Sequence, residues 1–125
     1  MGTTQARYRV GRVYDDAGAE DGHRVLVDRL WPRGLRKDAA DVELWLKDVA
    51  PSHELRTWYG HDPGKVADFA DRYRAELEGG TQREALQTLR ALTGTVTLLT
   101  STREIELSHV TVLADVLNGD SGTAR

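Results

Sequence analysis

Four side chains with useful chemistry, Asp28, Arg29, Trp31 and Arg33, follow directly on the apolar run Val25-Leu26-Val27. In α/β proteins, ligands collect just beyond the carboxyl ends of the strands, so a polar and aromatic cluster at such a place marks a candidate site. Two arginines suit a phosphate or carboxylate, because the planar guanidinium grips an oxyanion through two parallel N–H bonds. Trp31 offers a ring face for stacking, and Asp28 a carboxylate for proton transfer. A second set, Thr100, Ser101, Thr102 and Arg103, closes and follows the predicted strand 95–100, with Ser108 and His109 at or near the start of the last predicted helix. Free backbone N–H groups at a helix start favour an anion. The same position favours a neutral imidazole, so His109 reads as a base or hydrogen-bond partner. Thr100 and Ser101 bring no identifiable triad partner and are assigned to ligand binding. Arg56 and Tyr59 lie three apart on one side of a short predicted helix and are placed to close over a ligand at the strand ends.

Each of these residues also has a purely structural role open to it. Asp28 paired with Arg29 or Arg33 would lock the strand-to-turn transition. Trp31 would pack the turn, with Arg56 and Tyr59 against it, and His109 would be a hydrogen-bonded structural residue. His53, Glu54 and His61 suggest a metal at first sight, but the histidines are separated by a predicted helix break and match no zinc spacing. The chain has no glycine-rich phosphate loop and no dinucleotide fingerprint, so no cofactor or metal is expected.

The elements that must position these groups are legible from periodicity. Tyr8 to Tyr14 reads as a strand weakened by Gly11, and Asp15 to Gly22 as an acidic, glycine-punctuated loop. His23 to Leu30 reads as a strand buried on both faces. Ala40 to Val49 carries helical spacing through Val42, Trp45, Leu46 and Val49. A second helix starts at the Ser52 cap and ends at Gly60, and a third runs from about Pro63 to Glu78, with Asp62 as its cap. Thr81 caps a fourth, Thr95 to Thr100 is the clearest strand, and a last helix spans roughly Glu106 to Leu117. The order predicts an α/β fold: a small three-stranded, mostly parallel sheet with four to five helices in one layered domain, residues 1–118, and a disordered tail at 119–125. The connection from Tyr14 to Arg24 is short for a direct parallel neighbour, so the first strand is either antiparallel or placed across the sheet.

With 125 residues, the chain suffices for one core. Cysteine is absent, which excludes disulfides, thiolate catalysis and cysteine-ligated metals. No apolar run approaches the roughly 20 residues that span a bilayer, and the first residues lack an apolar signal region, so a cytoplasmic protein without a membrane partner is expected. The net charge of −3 argues against coating nucleic acid nonspecifically.

The segments Arg12-Val13-Tyr14-Asp15 and Gly22 to Gly34, with its Leu-Trp-Pro-Arg-Gly end, resemble the bacterial YeaO-like proteins, the short branch of domain-of-unknown-function family number 488. The likeness continues through Pro51 to Arg56, Arg72 to Leu77, Val96 to Leu99 and His109 to Asp115. In the longer branch, the last strand typically ends in a cysteine and a Cys-His-Arg triplet opens the final helix. Aligned by eye, the first cysteine falls on Thr100 and the triplet on Ser108, His109 and Val110. The resemblance therefore implies that the histidine is kept while both thiols and the arginine are lost, and it specifies no reaction.

Three functions follow as expectations. The leading one is a pocket for a small anion, enzymatic or sensory, in which Arg29, Arg33 and Arg56 hold the anion, Trp31 or Tyr59 stacks, Thr100 and Ser101 contribute hydroxyls, and Asp28 with His109 moves any proton. The second is an interaction or dimerisation module built on Trp31, Trp45 and Trp58, the chain being a monomer or homodimer. The third, disfavoured by net charge, is a nucleic-acid binder with a basic edge of Arg33, Arg36, Lys37 and Arg103.

Overall fold

In the computed structural model, which describes residues 7–123 apart from 16, 19 and 38–40, the segment Val96 to Leu99 becomes the centre of a parallel sheet. Its strands are β1 (Arg7–Arg12), β2 (His23–Leu26), β3 (Leu44–Trp45) and β4 (Thr95–Thr100), in the order β1-β4-β2-β3 with every pairing parallel. Arg7 lies opposite Thr95 and Arg12 opposite Thr100, while His23 to Leu26 align with Val96 to Leu99. β4 is flanked on both edges and covered on both faces, so Val96, Leu98 and Leu99 are all buried, and the polar side chain between them, Thr97, donates its hydroxyl to Asp21 O at 2.8 Å.

The sheet therefore has four strands where three were expected. The additional strand, β3, lies inside the segment 40–49 that the sequence pattern assigns to a helix. Val42, Trp45, Leu46 and Val49 do fall at helical spacing, but the backbone finds its partners on β2 instead: Glu43 N–H donates to Arg24 O and Leu46 N–H to Leu26 O, both at 2.8 Å. A 3₁₀ turn, Lys47–Val49, follows. Tertiary pairing overrides local propensity here. The first strand, expected to be antiparallel or set across the sheet, takes the second option and lies parallel on the far side of β4 from β2.

Four α-helices complete the fold: α1 (His53–Tyr59), α2 (Val66–Glu76), α3 (Gly80–Arg90) and α4 (His109–Thr123). Ser52 caps α1 as expected, its hydroxyl accepting from Leu55 N–H, and Gly60 ends it in the left-handed conformation. Asp62 caps a 3₁₀ turn, Pro63–Lys65, that leads into α2. α3 is entered through Gly79 and Gly80 rather than through a Thr81 cap. The predicted start of the last helix at Glu106 is a separate 3₁₀ turn, Ile105–Leu107, and α4 continues past Leu117.

The main core lies between the sheet and these helices. Val25, Val27, Val96 and Leu98 meet Phe69, Tyr73, Leu89 and Leu113 there. The opposite face of the sheet carries a small cluster, Val13, Leu26 and Leu99, covered by Trp31, Leu35, Val42 and Trp45 from the chain between β2 and β3 and from β3. Trp31 and Trp45 meet edge to face at 5.4 Å, and their indole N–H groups bond to Leu35 O and Asp28 O. On the outer edge of β1, the Asn118 side chain accepts from Tyr8 N–H and donates to Tyr8 O, occupying one open position of the ladder. No helix among the described residues is long and apolar enough to cross a membrane.

Candidate functional site

The second strand stops sooner than its apolar pattern suggests. Val27 N–H still bonds Leu99 O at 3.1 Å, but the chain then leaves the sheet, so Asp28 to Arg33 arch over the carboxyl ends of β2 and β4. A cavity of about 370 Å³ lies beneath this arch, a size suited to a small ligand. Asp28, Arg29, Trp31, Arg33, Arg56, Thr100, Ser101 and His109 all line it. Tyr59 does not: it is buried, stacked on Phe69 at 4.0 Å, and its hydroxyl donates to Leu107 O at 2.6 Å.

The floor is set by Asp28. Its Oδ2 accepts from both the backbone N–H (2.9 Å) and the hydroxyl (3.0 Å) of Ser101, tying the end of β2 to the end of β4. Its Oδ1 is enclosed without a hydrogen-bond partner and faces Nε2 of His109 at 3.7 Å. The ion pair anticipated with Arg29 or Arg33 is thus replaced by Ser101 and His109. Arg29 turns to Asp48 (3.4 Å) and to the carbonyl of Ala50 (3.3 Å). His109 opens α4, seated by Ser108, whose hydroxyl donates to Ile105 O and accepts from Val110 N–H. Nε2 of His109 lies 2.9 Å from Val27 O; a carbonyl can only accept, so the ring carries its proton on Nε2.

Burial pushes the His109 pKa below the ordinary imidazole value of 6.5, against the pull of the Asp28 carboxylate and the Val27 carbonyl, and the nearby Arg56 and His61 push it the same way as burial. The neutral ring expected from its helix-start position is favoured, with desolvation as the main cause. The sign of the linkage follows. The unfolded chain takes up the His109 proton first as pH falls below about 6.5, so stability present above that value is lost on acidification. The urea midpoint of the wild-type protein is expected to fall between about pH 7.5 and pH 5 by more than that of His109→Gln, which removes this titration.

Arg56 comes from α1, and the position of α1 is fixed away from the cavity. Glu76 on α2 accepts from Ser52 N–H (2.8 Å), from the Ser52 hydroxyl (2.5 Å) and from Gln82 Nε2 (2.9 Å), which also donates to Ala50 O. This clamp holds the first turn of α1 over the strand ends and aims Arg56 inward. Among the described residues, the Arg56 guanidinium has no hydrogen bond and no ion-pair partner, and its Nε is enclosed. Arg33 is exposed at the rim.

Two further cavity residues were missed or misread from the sequence. Ala50 supplies a carbonyl shared by Arg29 and Gln82, a role that no side-chain motif announces. His61, weighed only as a metal ligand, turns to the cavity because it follows Gly60 in a second left-handed position, with φ of 56°. The Gly-His pair after a capped helix was the available signal. No group of histidines and carboxylates able to hold a metal occurs among the described residues.

Residues 7–124 match the family described as the inactive DUF488-N3 subclade. An uncharacterised protein of Mycobacterium tuberculosis (strain H37Rv) is 53% identical over 117 residues, covering 92% of this chain and 97% of the relative. The uncharacterised protein YeaO of Escherichia coli (strain K12) is 41% identical over 106 residues, covering 85% of this chain and 92% of the relative. No solved structure matches the chain.

Proposed function

Because the chain belongs to the DUF488 family, in its inactive N3 subclade, we propose that it is a receptor for a small anion, a phosphate or carboxylate, held at the carboxyl ends of β2 and β4 without catalysis. The observation that carries this reading is Arg56. A half-buried guanidinium with five donors and no partner among the described residues is costly unless something supplies the acceptors, and here it lines a cavity together with Arg29 and Arg33.

Three of the four hydroxyl side chains that line the cavity support binding over turnover. Ser101 Oγ is held by Asp28, Ser108 Oγ is engaged at both lone pair and proton, and Thr100 Oγ1 accepts from Thr102 N–H. None of the three is paired with His109 as a nucleophile is paired with its base. The interaction-module reading has less support, because Trp31 and Trp45 cover the small core and Trp58 lies between Arg72 and Lys65, at 4.2 and 4.9 Å from its ring centre. Lys37, expected on a basic edge, sits over the Trp31 and Trp45 rings.

A thermal-shift series with inorganic phosphate, sugar phosphates and organic acids tests the proposal. A ligand at about a hundred times its Kd stabilises by roughly 2.7 kcal/mol, enough to raise Tm by about 10 °C in a chain of this size. Arg33→Ala is expected to keep the unliganded Tm, since Arg33 is exposed, and to weaken the shift. No shift with any of these anions would overturn the receptor reading.

A further inference from the structure

The cavity is not uniformly cationic. His109 is among the residues that line it, and its Nδ1 is an acceptor. The Nε2–H bond to Val27 O fixes the tautomer, so in the neutral ring Nδ1 carries the lone pair. Among the described residues, none donates a hydrogen bond to this nitrogen. It is also not sealed: the enclosed, unpartnered side-chain nitrogens and oxygens among the described residues are Asp28 Oδ1 and Arg56 Nε alone. An anion answers the arginines but offers nothing to an acceptor.

We propose that the ligand, taken as bound by the anion receptor described above, carries a hydroxyl group beside its anionic group and donates it to Nδ1 of His109. The class is a hydroxylated phosphate or carboxylate, a compact sugar phosphate or sugar acid. An ammonium donor is disfavoured next to Arg29, Arg33 and Arg56, whose charges repel it, whereas a hydroxyl donates without adding charge. A nucleobase is disfavoured as well. The Trp31 indole N–H is bonded to Leu35 O, and its ring is engaged by Trp45 and Lys37, so it offers no open stacking platform.

Calorimetric titration of the full chain near pH 7.5 with two matched pairs, methyl phosphate against ribose 5-phosphate and acetate against glycerate, separates the possibilities. The hydroxylated member of at least one pair is expected to bind about tenfold more tightly, the worth of one net hydrogen bond, and the tighter pair tells phosphate from carboxylate. The ¹⁵N resonance of His109 Nδ1 reports the contact directly. It is expected to move upfield with the hydroxylated member and to stay in place with its partner. Equal affinities within both pairs, or tighter binding that leaves Nδ1 unmoved, would overturn the hydroxyl assignment while leaving the anion site standing. Failure of all four probes to bind would overturn the receptor reading, and this proposal with it.

Discussion

Arg56→Ala is expected to reduce affinity for inorganic phosphate, or for whichever anion binds best, by between about 10-fold and 100-fold, with no loss of stability. The first figure follows from charge-assisted hydrogen bonds, each worth roughly 1.5–3 kcal/mol, in a cavity where the arginine is half-buried. The second follows from what Arg56 lacks. A guanidinium with no partner among the described residues contributes little to the fold, and its partial burial costs desolvation. Removal is therefore neutral or stabilising in urea, where a structural arginine would destabilise. Calorimetry and urea unfolding on the same preparation read both quantities. A variant that binds anions like the wild type but unfolds more easily would assign Arg56 to structure.

Gly22→Ala is expected to be the most damaging single methyl group in the protein. Gly22 leads into β2 at φ of 63°, and a Cβ there would lie 2.0 Å from the carbonyl oxygen of Thr95, the first residue of β4. The obstacle is backbone, so no side chain can swing away, and the left-handed conformation adds its own strain of about 1–3 kcal/mol. The chain must separate β2 from β4 at their first shared residues. A loss of about 4 kcal/mol or more is expected, a fall in Tm of roughly 15 °C or failure to fold. Gly80→Ala provides the contrast. Its φ is 65°, but a Cβ there meets nothing within 4 Å, so only the conformational cost of about 1–2 kcal/mol applies. Urea unfolding of the two variants separates strain from collision.

What was legible in the sequence divides along a physical line. β4 and α1 declare themselves locally, by a bounded run of β-branched residues and leucines and by a Ser cap with a Gly stop, and both appear where their patterns place them. The convergence of the strand-end residues on one cavity was legible too, because polar residues that terminate two buried strands must meet if the strands are parallel. The partners within the site were not. Asp28 bonds a serine 73 positions away in preference to the adjacent arginines, since only the register of β2 against β4 brings Ser101 beneath it. β3 was illegible for the same reason. Two residues of ladder leave no periodicity, and their identity as a strand exists only beside Val25 and Leu26. Tyr59 shared a helix side with Arg56 in the sequence, but the Phe69 ring across from it makes it core.

The position of β4 has a consequence for how the protein is made. It is the last strand in the chain and stands between the first two. At about 5–20 residues per second, a ribosome takes roughly 5–20 s to reach residue 100. Through that interval β1 and β2 exist without the strand that joins them, and the apolar run Val25-Leu26-Val27 has no partner on that edge. No N-terminal sub-fold can form around this sheet and wait. Folding is then a late and collective event, completed only when nearly the whole chain is present, and a message cut short before Thr95 yields a product for proteolysis and not a weakened version of the domain.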